Sequence, residues 1–289
     1  MGQTIPQSEM ELLLETNAGL QLESVVSARW QAERGKLINL NHPKARKDHV
    51  TEGMEPIEVK FWILTHPTRG TFLIDSGVTE MARPNAASLP LSWVVRSAMN
   101  LELMTLATST REALRRHPAP NGMFLTHLHT DHLLGLPDLP TNLEIHALEE
   151  ENGARRFTNL FTRNTIDNLS PNRPPLKLIS FPSNKTPQNN DFAAAPVLDL
   201  FGDRTLFAIP VPGHTPGSLA FVARTTEGAQ LITGDTCHTV WGWENGVEPG
   251  SYSEETGKNI QSLRRLKELA TRHPGMRVHP GHQSAKLIP

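Results

Sequence analysis

The stretch His127-Leu128-His129-Thr130-Asp131-His132 decides how the rest of this chain is read. It places three imidazoles and a carboxylate side by side, directly after the apolar run Gly122-Met123-Phe124-Leu125. That run has the length and composition of a short buried strand, so the cluster falls where a strand opens into a loop. In an extended segment alternate side chains share a face, which puts His127 and His129 on one side, about 7 Å apart along the backbone and able to converge on one ion. Once the chain turns after Thr130, Asp131 and His132 can face a neighbouring point, where a hard carboxylate oxygen beside an imidazole suits a second divalent cation. A lone histidine in a polar loop is ordinarily structural; this density of ligand-type side chains points to metal.

Composition narrows the function classes. A chain of 289 residues with 37% hydrophobic content can bury one large core or two modest ones. The formal charge of −2 gives no electrostatic reason to expect a nucleic-acid partner, and the short basic run Lys44 to Lys47 reads as a solvated face. The single cysteine excludes an intrachain disulfide framework. No apolar run is long enough to span a bilayer, no signal peptide is visible, and Pro6 breaks the myristoylation pattern that Met1-Gly2 would begin. The expectation is a cytoplasmic protein without membrane partners, or an exported one if a leader has been removed.

Working outward from the histidine cluster, residues 1–54 carry mixed helix and turn signals with no catalytic constellation, and are expected to form an N-terminal extension packing on a 55–289 catalytic domain. Ile57 to Leu64 and Thr71 to Ile74 read as a hairpin turning through Arg69-Gly70. It ends in Asp75-Ser76-Gly77, where a carboxylate can brace the loop above it or simply cap the turn. Leu89 to Ala107 is rich in Trp, Met and Leu; core packing explains most of it, and part could wall an apolar pocket, with Trp93 and Met99 as candidate substrate-binding side chains. Strands are expected at Leu143 to Ala147, Leu176 to Phe181, Thr205 to Val211, Ala229 to Thr233 and Met276 to Val278. Helices are expected at Leu148 to Phe157 and at Glu254 to His273, the latter with Ile260, Leu263, Leu266 and Leu269 as its apolar face, and a loop at Ser183 to Asn190. Strands in two groups, each interleaved with helices, predict an α/β fold: two sheets face to face with helices outside, a four-layer αββα sandwich.

Three further motifs carry ligand chemistry. Pro212-Gly213-His214-Thr215-Pro216-Gly217-Ser218 puts a histidine in a turn stiffened by proline and glycine; Thr233-Gly234-Asp235-Thr236 puts a carboxylate after an apolar strand; His279-Pro280-Gly281-His282 repeats the strand, glycine, histidine order. Each alone is a common turn. Together with the first cluster, all fall at strand-to-loop junctions and can gather on one rim of the two sheets.

The order His-x-His-x-Asp-His, then His, Asp and His, resembles the metallo-β-lactamase superfamily from about Ile57 to His282. The resemblance implies a first cation on His127, His129 and His214, a second on Asp131, His132 and His282, and Asp235 bridging them. Such a bridge balances charge between cations about 3.5 to 4 Å apart and leaves room for an activated water. Zinc suits the mixed nitrogen and oxygen set, and iron, manganese or cobalt could occupy it. Asp235 argues against the true β-lactamases, which lack a bridging aspartate. Only seven residues follow His282, against the C-terminal helical domain of the glyoxalase II type, and no basic surface suggests a nuclease. The chain is most similar to the N-acyl homoserine lactone lactonase branch, in its Pro-Gly-His-Thr-Pro-Gly turn, its Gly-Asp strand end, the long helix that follows and the Gly-His finish.

One departure from that branch bears on substrate handling. Its members commonly carry a tyrosine three residues past the bridging aspartate; here that position is His238, and the only tyrosine is Tyr252. His238 is therefore a candidate catalytic and substrate-binding residue, donating to the oxyanion or the leaving alkoxide, or else a structural histidine. Asp131 is counted as a catalytic carboxylate as well as a ligand. Trp241 and Trp243 are candidates for an acyl pocket, Cys237 reads as a small buried hydrophobe, and His42, His49, His66, His117, His146, His273 and His279 read as structural or surface residues. The expected activity is metal-dependent hydrolysis of a small-molecule lactone or ester, the lowered pKa of a metal-bound water being the site's main contribution. A thioesterase, a phosphodiesterase or a metal-binding module without turnover are the alternatives, and a homodimer is compatible with the sequence.

Overall fold

A computed structural model of the protein describes residues 2–153, 162–181 and 192–284. The loop expected at Ser183 to Asn190 lies outside them, as does the last part of the helix expected over Leu148 to Phe157, whose described part is the single 3-10 turn Glu149–Gly153. The chain divides into two compact units, one of residues 1–22, 34–53 and 179–289, the other of residues 23–33 and 54–178. Each is built on a mixed sheet with helices, which makes the protein an α/β fold. Among the described residues no helix is long and apolar enough to cross a membrane.

Strands are numbered along the chain. The six-stranded sheet takes β1 (Gln3–Pro6), β9 (Pro196–Asp199), β10 (Leu206–Pro210), β11 (Leu219–Thr225), β12 (Gly228–Ile232) and β13 (Arg277–His279), in that spatial order. β10, β11 and β12 are antiparallel neighbours, whereas β12 and β13 run parallel with Ile232 opposite His279. All seven residues of β11 are buried, as a continuous apolar central strand should be; this strand has no counterpart among those expected from the sequence. Its Arg224 is the exception in kind, and its guanidinium is satisfied by the carbonyls of Leu13, Thr16 and Arg204. The helix Thr256–Arg272 packs Leu266 and Leu269 into a core with Phe207, Ile209, Val222 and Leu231. Ile260, expected on the apolar face, points outward at 45% exposure, so the buried stripe is narrower than its spacing suggested.

The seven-stranded sheet is ordered β5 (Thr105–Leu106), β2 (Gln21–Glu33), β3 (Met54–His66), β4 (Gly70–Ile74), β6 (Pro120–Phe124), β7 (Ile145–Leu148), β8 (Lys177–Ile179). The expected hairpin is β3 and β4, longer than its apolar alternation alone marked, with Trp62 opposite Ile74. β4, β6 and β7 then run parallel, Ile74 opposite Phe124 and Phe124 opposite His146. The first 54 residues are not merely helix and turn. β2 is a strand of 13 residues whose second half alternates, with Ala28, Trp30 and Ala32 buried between exposed Arg29, Gln31 and Glu33. That period of two is masked because two of the three alternating buried residues are small alanines, and it is broken upstream, where Val25 and Ser27 are buried on the opposite parity.

Candidate metal centre

Parallel pairing of β4 with β6 delivers two strand ends to one edge of the seven-stranded sheet. Asp75, the first residue past β4, adopts a left-handed φ of 60°, which aspartate tolerates better than most residues. Fully buried, its carboxylate accepts from Thr126 N at 2.8 Å and from Thr126 Oγ1 at 2.9 Å, and pairs with His132 Nδ1 at 2.8 Å. An imidazole held through Nδ1 by a carboxylate presents Nε2 as its ligand nitrogen, the usual arrangement behind a metal-bound histidine. His132 Nε2 lies 3.5 Å from Asp131 Oδ2. Thr126 Oγ1 also meets His127 Nδ1 at 3.1 Å, and the His127 ring lies 4.6 Å from that of His129 and 4.1 Å from that of His132, centroid to centroid.

The loop is braced on both sides. Ser76 donates from both N and Oγ to His132 O, and Leu128 N donates to Glu151 Oε2 at 3.0 Å. Of the two roles the sequence leaves open for Asp75, the structure shows the bracing one, and it adds Thr126 and Glu151 as further supports. Thr126, beside His127, was readable as a hydroxyl next to the first ligand. Glu151 has no local signal, because only the fold brings it to Leu128.

In the other unit, the parallel β12 and β13 send Thr233–Asp235 and Pro280–His282 out over the same edge. The antiparallel β10 and β11 place the His214 turn at that edge as well, Pro210 opposite Leu219 and Phe221 opposite Ile232. Asp235 Oδ2 lies 3.4 Å from His214 Nε2, 3.2 Å from His238 Nε2 and 3.0 Å from His282 Nε2, and all four side chains are buried. The long helix and the residues leading into it clamp this edge: Glu254 N and Glu255 N donate to His214 O and Gly213 O, Asn259 Nδ2 to Thr236 O, and Ser262 Oγ to Pro212 O. Gly213 has a φ of 140°, and a Cβ there would lie 2.2 Å from Asn259 N. Gly213→Ala is therefore expected to destabilise the protein by at least about 2 kcal/mol, seen as a lower midpoint in thermal unfolding monitored by circular dichroism.

The donor set fits divalent cations. Imidazoles with centroids 4 to 6 Å apart, all buried except half-buried His129, surround a buried carboxylate, an arrangement of nitrogen and oxygen donors that a divalent cation satisfies. His127, His129, Asp131 and His132 offer ligands in one unit, His214, Asp235, His238 and His282 in the other. Cys237, between two of these, is buried, its Sγ facing Thr239 O, and burial pushes its thiol up to about 12, so it behaves as a small hydrophobe.

The profile described as the metallo-beta-lactamase superfamily matches residues 54–282. The chain belongs to that superfamily. Among curated relatives, it is 35% identical over 85 residues to the N-acyl homoserine lactonase AttM of Azorhizobium caulinodans, a match covering 29% of this chain and 32% of that one. The AttM of Rhizobium johnstonii is 26% identical over 236 residues, covering 79% and 83%. The first of these matches thus spans about a third of the relative's length. A solved quorum-quenching N-acyl homoserine lactone lactonase aligns over 92% of this chain and 94% of its own at 18% identity, with a TM-score of 0.62, a likeness of fold.

Within this metallo-β-lactamase chain the other candidates are placed as follows. Trp93 opens the helix Trp93–Met99 and is 74% exposed, Met99 is half-buried at its end, and Leu89, Leu101 and Met104 beside it are buried. Trp241 and Trp243 lie in the helix Val240–Asn245; Trp243 packs against the core, with Lys267 Nζ 4.9 Å from its ring centroid. Most of the remaining histidines have structural partners: His42 caps the helix Pro43–Lys47, His66 accepts from Thr68 N and Arg69 N, and His117 meets Glu23. His146 packs on Phe124, and burial holds its pKa down. His273 spans Glu11 and Glu15, His279 meets Gln230, and His49 takes a left-handed φ.

Proposed function

We propose that the protein is a dinuclear metal-dependent lactonase that opens N-acyl homoserine lactones. In this reading His127, His129 and His214 hold one cation, Asp131, His132 and His282 the other, and Asp235 bridges them. The observation that carries it is the buried carboxylate of Asp235 with the Nε2 atoms of His214 and His282 within 3.4 Å, in a chain whose His127–His132 loop is braced by Asp75 as ligand loops are. The lactonase names of the relatives support the choice of substrate. Zinc is the cation this mixed set suits best.

Bound there, the cation pair supplies Lewis acidity and a water acidic enough to ionise near neutral pH. The chain contributes rigidity: Asp75 and Thr126 orient His132 and His127, the Gly213 turn fixes His214, and Asn259 pins the Asp235 loop. The overall reaction adds the oxygen of water to the lactone carbonyl carbon, breaks the ring C–O bond and passes the proton to the departing alkoxide, giving the open hydroxy acid. Exposed Trp93 and half-buried Met99 offer apolar surface for an acyl chain. Of the two tryptophans beyond His238, Trp241 is assigned to substrate and Trp243 to the core.

The test is a side-by-side assay of zinc-loaded protein on an acyl homoserine lactone, an aryl ester, a glutathione thioester and a phosphodiester, following proton release or chromophore. Lactone opening at a kcat/KM at least tenfold above the other substrates is expected. Faster thioester or phosphodiester cleavage would sink the substrate assignment and leave the metal centre standing.

A further inference from the structure

We infer that His238 is itself a cation ligand, joining His214 and Asp235 on the edge of the six-stranded sheet; this rests on the metal centre proposed above. The ligand atoms of His214, Asp235 and His238 all lie within 4.8 Å of one another. Their spacing is that of a coordination shell. A cation about 2.1 Å from each ligand puts neighbouring ligand atoms about 3.4 Å apart in a tetrahedron and about 3.0 Å apart in an octahedron. The separations from Asp235 Oδ2, at 3.4 Å to His214, 3.2 Å to His238 and 3.0 Å to His282, fall on that range.

Hydrogen bonding alone accounts poorly for the same arrangement. One carboxylate oxygen has about two lone-pair sites, and three imidazole nitrogens crowd a single Oδ2. Each ring would have to carry its proton on Nε2, and His238, only 1% exposed, gains nothing from water. Its second nitrogen, Nδ1, is buried and takes no hydrogen bond among the described residues. The carboxylate edge is therefore the polar environment that His238 has, and a cation shared with Asp235 satisfies it.

The backbone and neighbouring rings hold His238 in that position. His238 O accepts from His282 N at 2.9 Å and Cys237 O from Gly281 N at 2.8 Å, tying the two ligand loops together. A Cβ on Gly281 would come 2.5 Å from Asp235 Oδ1, so glycine is needed for that approach. The His238 ring lies 5.1 Å from that of His214 at 74°, 5.5 Å from that of His282 at 15°, and 5.9 Å from that of Tyr252, which limits its swing away from Asp235. His238 is thereby part of the cation shell instead of a donor to substrate.

The experiment uses the full-length protein loaded with NMR-active cadmium and labelled at the imidazole nitrogens, and reads one-bond cadmium–nitrogen coupling. Coupling at His238 Nε2, in addition to the five histidines of the proposed set, is the expected result; the signal is assigned by its loss in His238→Ala, or in His238→Gln if alanine prevents folding. The variant should also bind one cation at least about tenfold more weakly. Coupling at the other histidines without any at His238 overturns the inference and returns the residue to positioning Asp235. No coupling at any histidine overturns the metal centre as well. A protein that shows His238 coupling yet leaves lactones intact upholds the ligand and refutes only the substrate.

Discussion

Asp235→Ala is expected to lower kcat/KM for lactone opening by about a thousandfold or more and to leave the purified protein with less bound metal. Asp235 is 3% exposed, and its Oδ2 is the common neighbour of His214, His238 and His282 Nε2. Removing it leaves buried imidazoles facing one another without the anion that offsets a cation among them. The cation pair is asked for several kcal/mol of barrier lowering, and each 1.4 kcal/mol is tenfold in rate, so losing about 4 kcal/mol gives about a thousandfold. Asp235→Asn keeps the shape but not the charge, and should recover folding more fully than turnover. The measurements are steady-state kinetics by pH-stat and metal content per chain after dialysis. Activity within tenfold of the parent at equal metal content would show that Asp235 does not bridge anything.

Asp75→Ala is expected to weaken metal binding by roughly 10- to 100-fold and to destabilise the metal-depleted protein by roughly 3–5 kcal/mol, although Asp75 is not proposed to touch metal. Its carboxylate accepts from Thr126 N and Oγ1 and from His132 Nδ1, all inside the fold, and each loses its acceptor in the variant. His132 also loses the contact that selects its tautomer. Asp75→Asn separates the two effects: asparagine tolerates the left-handed backbone and can still accept from Thr126, but it cannot supply the charge that polarises His132. It should therefore retain most of the stability and little of the affinity. Denaturant unfolding without metal and competition with a chromogenic chelator read the two quantities independently; an unchanged affinity in both variants would refute the relay.

Much of this was legible along the chain because ligand chemistry at strand ends leaves local marks. Gly-His in a proline-stiffened turn, Gly-Asp after an apolar strand and the clustered histidines of residues 127–132 could each be read in place. β3 was legible from the alternation that begins at Ile57, and β12 from a short apolar run ending at a Gly-Asp turn. β2 escapes sequence reading because its alternating buried positions are mostly alanine, which carries little hydrophobic signal, and β11 because a strand buried on both faces has no alternation to detect. Ile260 was misplaced because helical spacing tells which residues share a face, not how wide a stripe the neighbouring sheet will cover.

The order of residue types along the chain by itself determined the superfamily pattern, the ligand candidates and their place at strand-to-loop junctions, since side-chain chemistry and strand periodicity are properties of short segments. Only the tertiary structure decided that Asp75 meets His132 across 57 positions, that Glu151 holds Leu128, and that His238 shares an oxygen with His214 and His282. Those relations depend on parallel pairing of β4 with β6 and of β12 with β13, which brings distant strand ends to the same sheet edge. No local segment encodes which strands become neighbours, because that choice is made by burying whole faces of sheet at once.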